Sequence, residues 1–127
     1  MKGCITLSLS VSIMKFVIVI TSGPYGDPRL KLALDIAKSV ISGGYDLSVF
    51  LYGDGVYNAL RCINPATDEY NPLSDFKEIS KSAHIYFCES AGMRRGVDKS
   101  NTLEIFKSSG LGELSDMISS ADRVLSL

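Results

Sequence analysis

The sequence predicts an α/β fold in which a three-layer α/β/α sandwich surrounds a mostly parallel five-stranded sheet. Short apolar runs rich in β-forming residues alternate along the chain with segments whose apolar residues recur at helical spacing. The first run, KFVIVI, is continuously apolar after its lysine, which is typical of a strand buried on both faces. Strands that alternate with helices in this way indicate a parallel sheet between helical layers.

The composition is that of a globular domain. The chain has 127 residues, 46% of them hydrophobic, and a formal net charge of −1. Because there is no basic excess, we expect small-molecule or protein partners and no direct contact with nucleic acid. Cys4, Cys62 and Cys88 match neither a disulfide framework nor a C-x-x-C motif, so we expect reduced thiols in the cytoplasm. Because the chain has one histidine, we also expect no metal, and we expect no cofactor.

The first residues only partly match a signal peptide. An early lysine precedes an apolar, serine-rich run, but Lys15 interrupts that run and no clear A-x-A-like cleavage site follows. The run is also too short to span a membrane as a helix, so we expect no membrane segment. We divide the chain into an N-terminal extension, residues 1–13, which is disordered or the product of a misplaced start, and a single domain, residues 14–127.

The first strand, residues 15–20, is followed by a loop and a helix. Asp27 is placed to cap that helix and Pro28 to occupy its first turn. Apolar residues then recur at helical spacing until Gly43 and Gly44 end the helix. The sequence thus predicts a strand, a loop and a helix in succession.

The alternation continues through the middle of the chain. The second strand is DLSVFLY, residues 46–52, and GDGVYNALRC is a turn that leads into a short helical piece. Residues 64–70 are expected to form an exposed loop. Asn71 and Pro72 then begin a helix that extends to about Ser82.

The last part of the chain supplies the remaining strands. HIYFC, residues 84–88, is the third strand, LEIFK, residues 103–107, is a candidate for the fourth, and DRVLSL, residues 122–127, closes the sheet after the helix LGELSDMISS. In sheets of this class, ligands bind at the carboxyl ends of the strands. The segments expected at that edge are residues 21–27, residues 52–58 and the segment that begins at Cys88.

Cys88 is the strongest candidate for chemistry, because it ends a strand where a helix begins. The free N–H groups of residues 89–92 and the positive end of the helix dipole would face its sulfur and favour the thiolate. Arg94 and Arg95 would act in the same direction if they fold back, whereas Glu89 would oppose it. We expect an ionised sulfur that reagents can reach; the alternative is a small apolar core cysteine at a strand end.

Two chemistries fit a reactive Cys88. The C-x5-R spacing to Arg94 is that of cysteine phosphatases, but Glu89 would lie against the bound anion and no Ser or Thr follows the arginine. A nucleophilic thiol can also accept sulfane sulfur as a persulfide and pass it on. Tyr25 and Tyr57, in loops at the same edge, are candidates either to cover Cys88 or to pack between subunits.

From Met14 to Leu127 the sequence resembles the DsrE/TusD sulfur-relay family, and its TusD-type members most closely. The resemblance rests on MKFVIVITSGPYGDPR, on GVYNA, on a cysteine followed six residues later by RRGV, and on SGLGEL with the closing DRVLSL. It implies a DsrEFH-like fold and a persulfide carried by Cys88.

The resemblance also implies partners. A TusA-like protein would donate sulfur, a TusE/DsrC-like protein would accept it, and the relay would serve tRNA thiolation or cytoplasmic sulfur oxidation. Family members assemble as trimers or hexamers, so a homotrimer and a homo- or hetero-hexamer with paralogous subunits are both expected. A non-catalytic subunit of such a complex is a further alternative.

Overall fold

The computed structural model describes residues 13–127. Apart from Ile13, the expected extension, residues 1–13, lies outside the described residues, and so does Cys4. Within the described part of the chain, no helix has both the length and the apolar character needed to cross a membrane.

A five-stranded sheet forms the centre of the domain. Its strands in chain order are β1 (Lys15–Ile20), β2 (Asp46–Leu51), β3 (His84–Cys88), β4 (Phe106–Ser109) and β5 (Arg123–Ser126). Across the sheet the order is β4-β3-β2-β1-β5, and every neighbouring pair is parallel. The predicted α/β architecture is confirmed, and the sheet is wholly rather than mostly parallel.

Helices cover both faces of this sheet. The described helices are α1 (Arg29–Ser42), a 3₁₀ helix (Gly53–Ala59), α2 (Pro72–Ser80), α3 (Glu89–Met93) and α4 (Leu111–Ser120). Crossovers between parallel strands are right-handed. Because the chain moves in one direction from β1 to β4 and then returns to β5, α1 and α2 lie on one face and α4 lies on the other. The two helices of the first face are joined by an ion pair between Lys38 and Asp75.

The central strands are buried on both faces. Residues 17–20 of β1 are all buried, and Phe50 of β2 has no exposed surface. Phe76 of α2 packs edge-on against Phe106 of β4, with 5.3 Å between the ring centroids. The edge strand β5 differs, because Val124 remains 42% exposed.

The fourth strand lies further along the chain than expected. LEIFK predicts residues 103–107, whereas β4 spans Phe106–Ser109. The Phe106 N–H donates to the Leu103 carbonyl in a turn, and pairing with β3 begins only where Phe106 meets Ile85. The prediction was wrong here because a β-forming composition identifies the apolar run but not the residue at which backbone pairing with the neighbouring strand begins.

The beginning of α1 is also displaced by one residue. Pro28 occupies the cap position rather than the first turn, and the helix begins at Arg29. The Asp27 carboxylate still satisfies a free helix donor, because its Oδ1 accepts the Arg29 N–H at 3.0 Å. The same carboxylate pairs with the Arg29 guanidinium.

Gly55 lets the 3₁₀ helix approach the end of β1. A Cβ atom at this position would lie 2.1 Å from the carbonyl oxygen of Ile20, which is far inside van der Waals contact. Because that oxygen belongs to the backbone of a buried strand, it cannot move away at low cost. A glycine is therefore required where the second βα connection meets the sheet.

We expect Gly55→Ala to lower the free energy of unfolding by about 1–3 kcal/mol, because the added methyl group overpacks a backbone contact. Gly112→Ala is the matched control. A Cβ at Gly112, within α4, meets nothing within 4 Å, so this change should instead raise stability by about 0.5–1 kcal/mol. Urea denaturation of both variants measures the difference, and equal effects would contradict the close approach.

Candidate active site around Cys88

Cys88 is the last residue of β3 and the N-cap of α3. Its Sγ accepts the backbone N–H of Ala91 at 3.4 Å. The hydroxyl of Ser90 lies 3.3 Å from the same sulfur. The predicted strand-to-helix junction is therefore present, and two hydrogen-bonding groups from the first turn of the helix are directed at the sulfur.

The sulfur is less accessible than we expected. Cys88 is 1% exposed and belongs to the hydrophobic core of the domain. The expectation of a freely reachable thiol was wrong, because β3 is paired on both sides and the Cys88 side chain at its end packs within the hydrophobic core. Ser90 itself is exposed, so its hydroxyl is the contact that connects the buried sulfur with the protein surface.

Arg95 holds α3 against the 3₁₀ helix. Its Nε donates to Oδ1 of Asp54 at 2.9 Å, and its Nη1 donates to the carbonyl oxygen of Ala91 at 3.0 Å. These contacts occupy the guanidinium with a carboxylate and a helix carbonyl. The structure therefore gives Arg95 a positioning contact rather than the direct contact with sulfur that we considered.

Arg94 and Glu89 both point away from the core. Arg94 is exposed at the C-cap of α3, and its backbone N–H donates to the Ser90 carbonyl. Glu89 is exposed in the first turn of α3, where a carboxylate interacts favourably with the helix dipole. It lines an open cavity of about 400 Å³ beside α3, together with Phe87 and Met93. The Glu89 carboxylate is therefore directed outward, which weakens its electrostatic repulsion of a negatively charged Cys88 sulfur.

The segment that follows α3 folds back beneath it. The Val97 N–H donates to the Gly92 carbonyl at 2.8 Å, and Gly96 has a φ of 73°, a left-handed conformation that suits glycine. Val97 is 1% exposed, and a Cβ at Gly92 would lie 2.4 Å from its carbonyl oxygen. The RRGV segment thus fixes the position of α3 in addition to carrying charge.

Tyr25 and Tyr57 lie around a different cavity. Both line a space of about 540 Å³ at the ends of β1 and β2, with Ser22 and Asp54, and Cys88 is not among its lining residues. The tyrosines and the cysteine do not line one cavity among the described residues, which gives no support to covering of Cys88 by these rings, and packing between subunits stays a prediction. The loop from residue 21 to 27 follows β1 directly and leads to α1.

Hydrogen bonds hold this tyrosine-lined loop in place. The Tyr25 hydroxyl donates to the Tyr70 carbonyl at 3.0 Å, and Nδ2 of Asn58 donates to the Ser22 and Gly55 carbonyls. Partial desolvation and the nearby Glu69 carboxylate raise the pKa of Tyr25, which keeps its hydroxyl neutral. The Asn58 contacts join the first loop to the 3₁₀ helix that carries Asp54.

Sequence reasoning missed Ser90 and Asp54. A serine two residues after a capping cysteine is a weak signal that the first helical turn could supply a side-chain donor. Asp54 lies in the segment of residues 52–58 that we expected at the same edge as Cys88, but only the fold shows that its carboxylate pairs with Arg95. Among residues 13–127, no three potential ligands of the His, Cys, Asp or Glu types cluster as a metal site would require.

We expect Arg95→Ala to raise the rate of Cys88 alkylation severalfold and to lower stability by about 1–2 kcal/mol, because a hydrogen-bonded charge that holds α3 is lost. The matched control is Arg94→Ala, which removes the neighbouring exposed charge and should change neither value. Exposed Cys62 provides an internal reference for reagent activity. Time-resolved labelling with iodoacetamide and peptide mapping measures both thiols, and equal Cys88 rates in the two variants would contradict a holding role for Arg95.

Comparison with known proteins gives the chain its family. The model of the DsrE/DsrF-like family matches residues 14–127. The sulfurtransferases TusD of Cronobacter sakazakii and of an Enterobacter species are each 32% identical over 126 residues, covering 88% of this chain and 98% of theirs. The ychN protein from E. coli has a similar structure, with a TM-score of 0.82 and 28% identity over 91% of this chain and 100% of that one. The chain therefore belongs to the DsrE/DsrF-like family.

Proposed function

We propose that the protein is a sulfur-relay subunit that carries sulfane sulfur as a persulfide on Cys88. The observation that supports this most directly is the placement of Sγ at the beginning of α3, with the Ala91 N–H and the Ser90 hydroxyl beside it. Donors at a helix N-terminus stabilise a negative sulfur more than a neutral one. Similarity to proteins named sulfurtransferase TusD points to the same chemistry.

The proposed transfer has two steps that mirror each other. The Cys88 thiolate attacks the outer sulfur of a donor persulfide, a new S–S bond forms, and the donor leaves as its thiolate. An acceptor thiolate then attacks the outer sulfur on Cys88, and Cys88 leaves as a thiolate. Negative charge lies on Sγ at the start of the first step and at the end of the second. No metal or external oxidant is needed.

Burial of the sulfur suits a carrier, because a persulfide that is shielded from solvent is protected from adventitious thiols and oxidants. Transfer then requires a local opening that uncovers Cys88 when a partner docks. Helix α3 is the element that covers this junction, and it is short, with five residues. The Arg95 contacts restrain it on the side of the 3₁₀ helix.

The phosphatase alternative has little geometric support. A phosphate cradle needs free backbone N–H groups between the cysteine and the arginine. Here the Ala91 N–H, which lies between the two, already donates to Cys88 Sγ, and the Arg95 guanidinium is bound to Asp54. Arg94 is exposed instead of closing over the sulfur. A non-catalytic subunit remains the alternative that the loading experiment below separates from a carrier.

The partners and the cellular setting belong to the same proposal. A TusA-like donor, a TusE/DsrC-like acceptor and a relay in the cytoplasm follow from the family resemblance, in tRNA thiolation or in sulfur oxidation. We further propose that residues 14–127 act as one domain. The match of the family model to these residues supports that division.

Assembly with like or paralogous subunits is supported by the exposed apolar surface of α4 and β5. Helix α4 is amphipathic but has no buried residue, and Leu111 and Ile118 are 48% and 41% exposed. Val124 of the adjacent edge strand is 42% exposed. Exposed apolar groups concentrated at one end of a sheet are typical of a surface that a partner subunit covers.

We expect incubation with a low-molecular-weight persulfide to add the mass of one sulfur atom at Cys88. Cys88→Ser should abolish this addition, whereas Cys62→Ser, which removes the exposed thiol, should leave it intact. Peptide-mapped mass spectrometry locates the sulfur. Loading of the Cys88→Ser variant to the same extent would exclude the mechanism, and an unreactive Cys88 in the native assembly would favour a non-catalytic subunit.

We expect Ile118→Lys to shift the assembly towards monomers, because a charge would be buried in the proposed subunit interface. Ser119→Lys, which adds the same charge at the adjacent exposed position of α4, is the matched control. Light scattering coupled to size exclusion reports the mass of each variant. A monomeric unmodified protein, or equal masses for all three proteins, would contradict the proposed interface.

A further inference from the structure

We infer that Ser90 is a positioning residue whose hydroxyl donates a hydrogen bond to Cys88 Sγ and promotes the release of sulfur to the acceptor. This inference rests on the proposed function, because it assigns Ser90 a part in the second transfer step. Its basis is the 3.3 Å contact between Ser90 Oγ and Cys88 Sγ.

The local geometry gives the hydroxyl a defined direction. A thiolate has no proton to donate, so in the ionised state Ser90 must be the donor in this contact. The Ala91 N–H reaches the same sulfur from the backbone at 3.4 Å, so Sγ accepts two hydrogen bonds from successive residues of α3. The backbone donor belongs to every residue type except proline, whereas the hydroxyl depends on serine at position 90.

The position of Ser90 also sets it apart from the rest of the site. Cys88 is 1% exposed, while Ser90 is exposed. Ser90 is only two residues from Cys88 in the chain, and its hydroxyl replaces part of the solvation that a buried thiolate lacks. The hydroxyl thus helps the sulfur to hold charge during a step that takes place away from bulk water.

This hydrogen bond acts oppositely on loading and on release. In the release step the acceptor thiolate forms a bond to the outer sulfur, the S–S bond to Cys88 breaks, and the electron pair remains on Sγ. A donor to Sγ stabilises that leaving thiolate, so release becomes faster. The same stabilisation makes free Cys88 less inclined to take up sulfur, so the fraction loaded at equilibrium is lower. If Ser90 had a merely structural role, its loss would lower both the rate of release and the fraction loaded, or would change neither.

The experiment compares Ser90→Ala, Ser90→Thr and the unmodified protein. Each is loaded with glutathione persulfide, separated from the donor, and mixed with glutathione while peptide-mapped mass spectrometry follows Cys88. We expect Ser90→Ala to release sulfur about fivefold more slowly and to load to a higher fraction, because a hydrogen bond to a charged group is lost. Ser90→Thr keeps the hydroxyl and should stay within about twofold of the unmodified protein.

Ser74→Ala is the matched control. Ser74 is another exposed serine in a first helical turn. Its hydroxyl donates to the Asn71 carbonyl rather than to Cys88. Its removal should leave both loading and release unchanged. Equal release by Ser90→Ala and the unmodified protein would overturn the inference, and so would a parallel fall in loading and release.

A second measurement separates this inference from the proposed function. Cys88 is converted to its mixed disulfide with glutathione in the Cys62→Ser background, and its reduction by excess glutathione is followed in the same way. Attack on the glutathione sulfur expels the same Cys88 thiolate, so Ser90→Ala should slow that reaction by about the same factor. If no protein takes up a persulfide, the proposed function fails, and the mixed-disulfide rates alone then support or overturn the role of Ser90.

Discussion

Burial of both faces of a parallel sheet is the constraint on which this structure depends. The strands β1 to β3 are central, and beyond an exposed first residue in each strand most of their side chains are buried. The residues that follow the first one in each strand are therefore mainly apolar, and each connection carries a helix or turn that covers the sheet. The same constraint places the ends of the strands at one edge, where the polar groups that follow them are the first able to reach solvent.

Cys88 lies at the end of β3, where the chain passes from the buried sheet to the exposed residue Glu89. Its side chain is buried with the core, and Cys88 is also the N-cap of α3, whose first-turn donors lack partners within the helix. A sulfur in this place is shielded by the sheet and contacted by N–H and O–H groups at the same time. The core-cysteine interpretation agrees with the burial of this side chain, and the N-cap contacts are the observation on which the proposed reactive thiol depends.

Several residues around α3 fix the position of this helix next to Cys88. Gly92 and Gly96 allow the chain to fold back closely, and Arg95 joins the helix to Asp54 on the neighbouring 3₁₀ helix. Similarity to TusD sulfurtransferases gives the fold and family, while these contacts give a physical reason for an RRGV segment after the cysteine. Arg95 makes structural contacts in this arrangement, and Arg94 is exposed at the surface.

The sequence by itself determined the architecture and the junction at Cys88. Strand and helix periodicities are local properties, and a cysteine between HIYF and a helical segment can be recognised from neighbouring residues alone. The tertiary structure decided the register of β4, the pairing of Arg95 with Asp54 and the separation of Tyr25 and Tyr57 from the cysteine. It also decided how deeply the sulfur lies. These features depend on which segments meet across the sheet, and contacts between residues distant in the chain leave no periodic pattern along it.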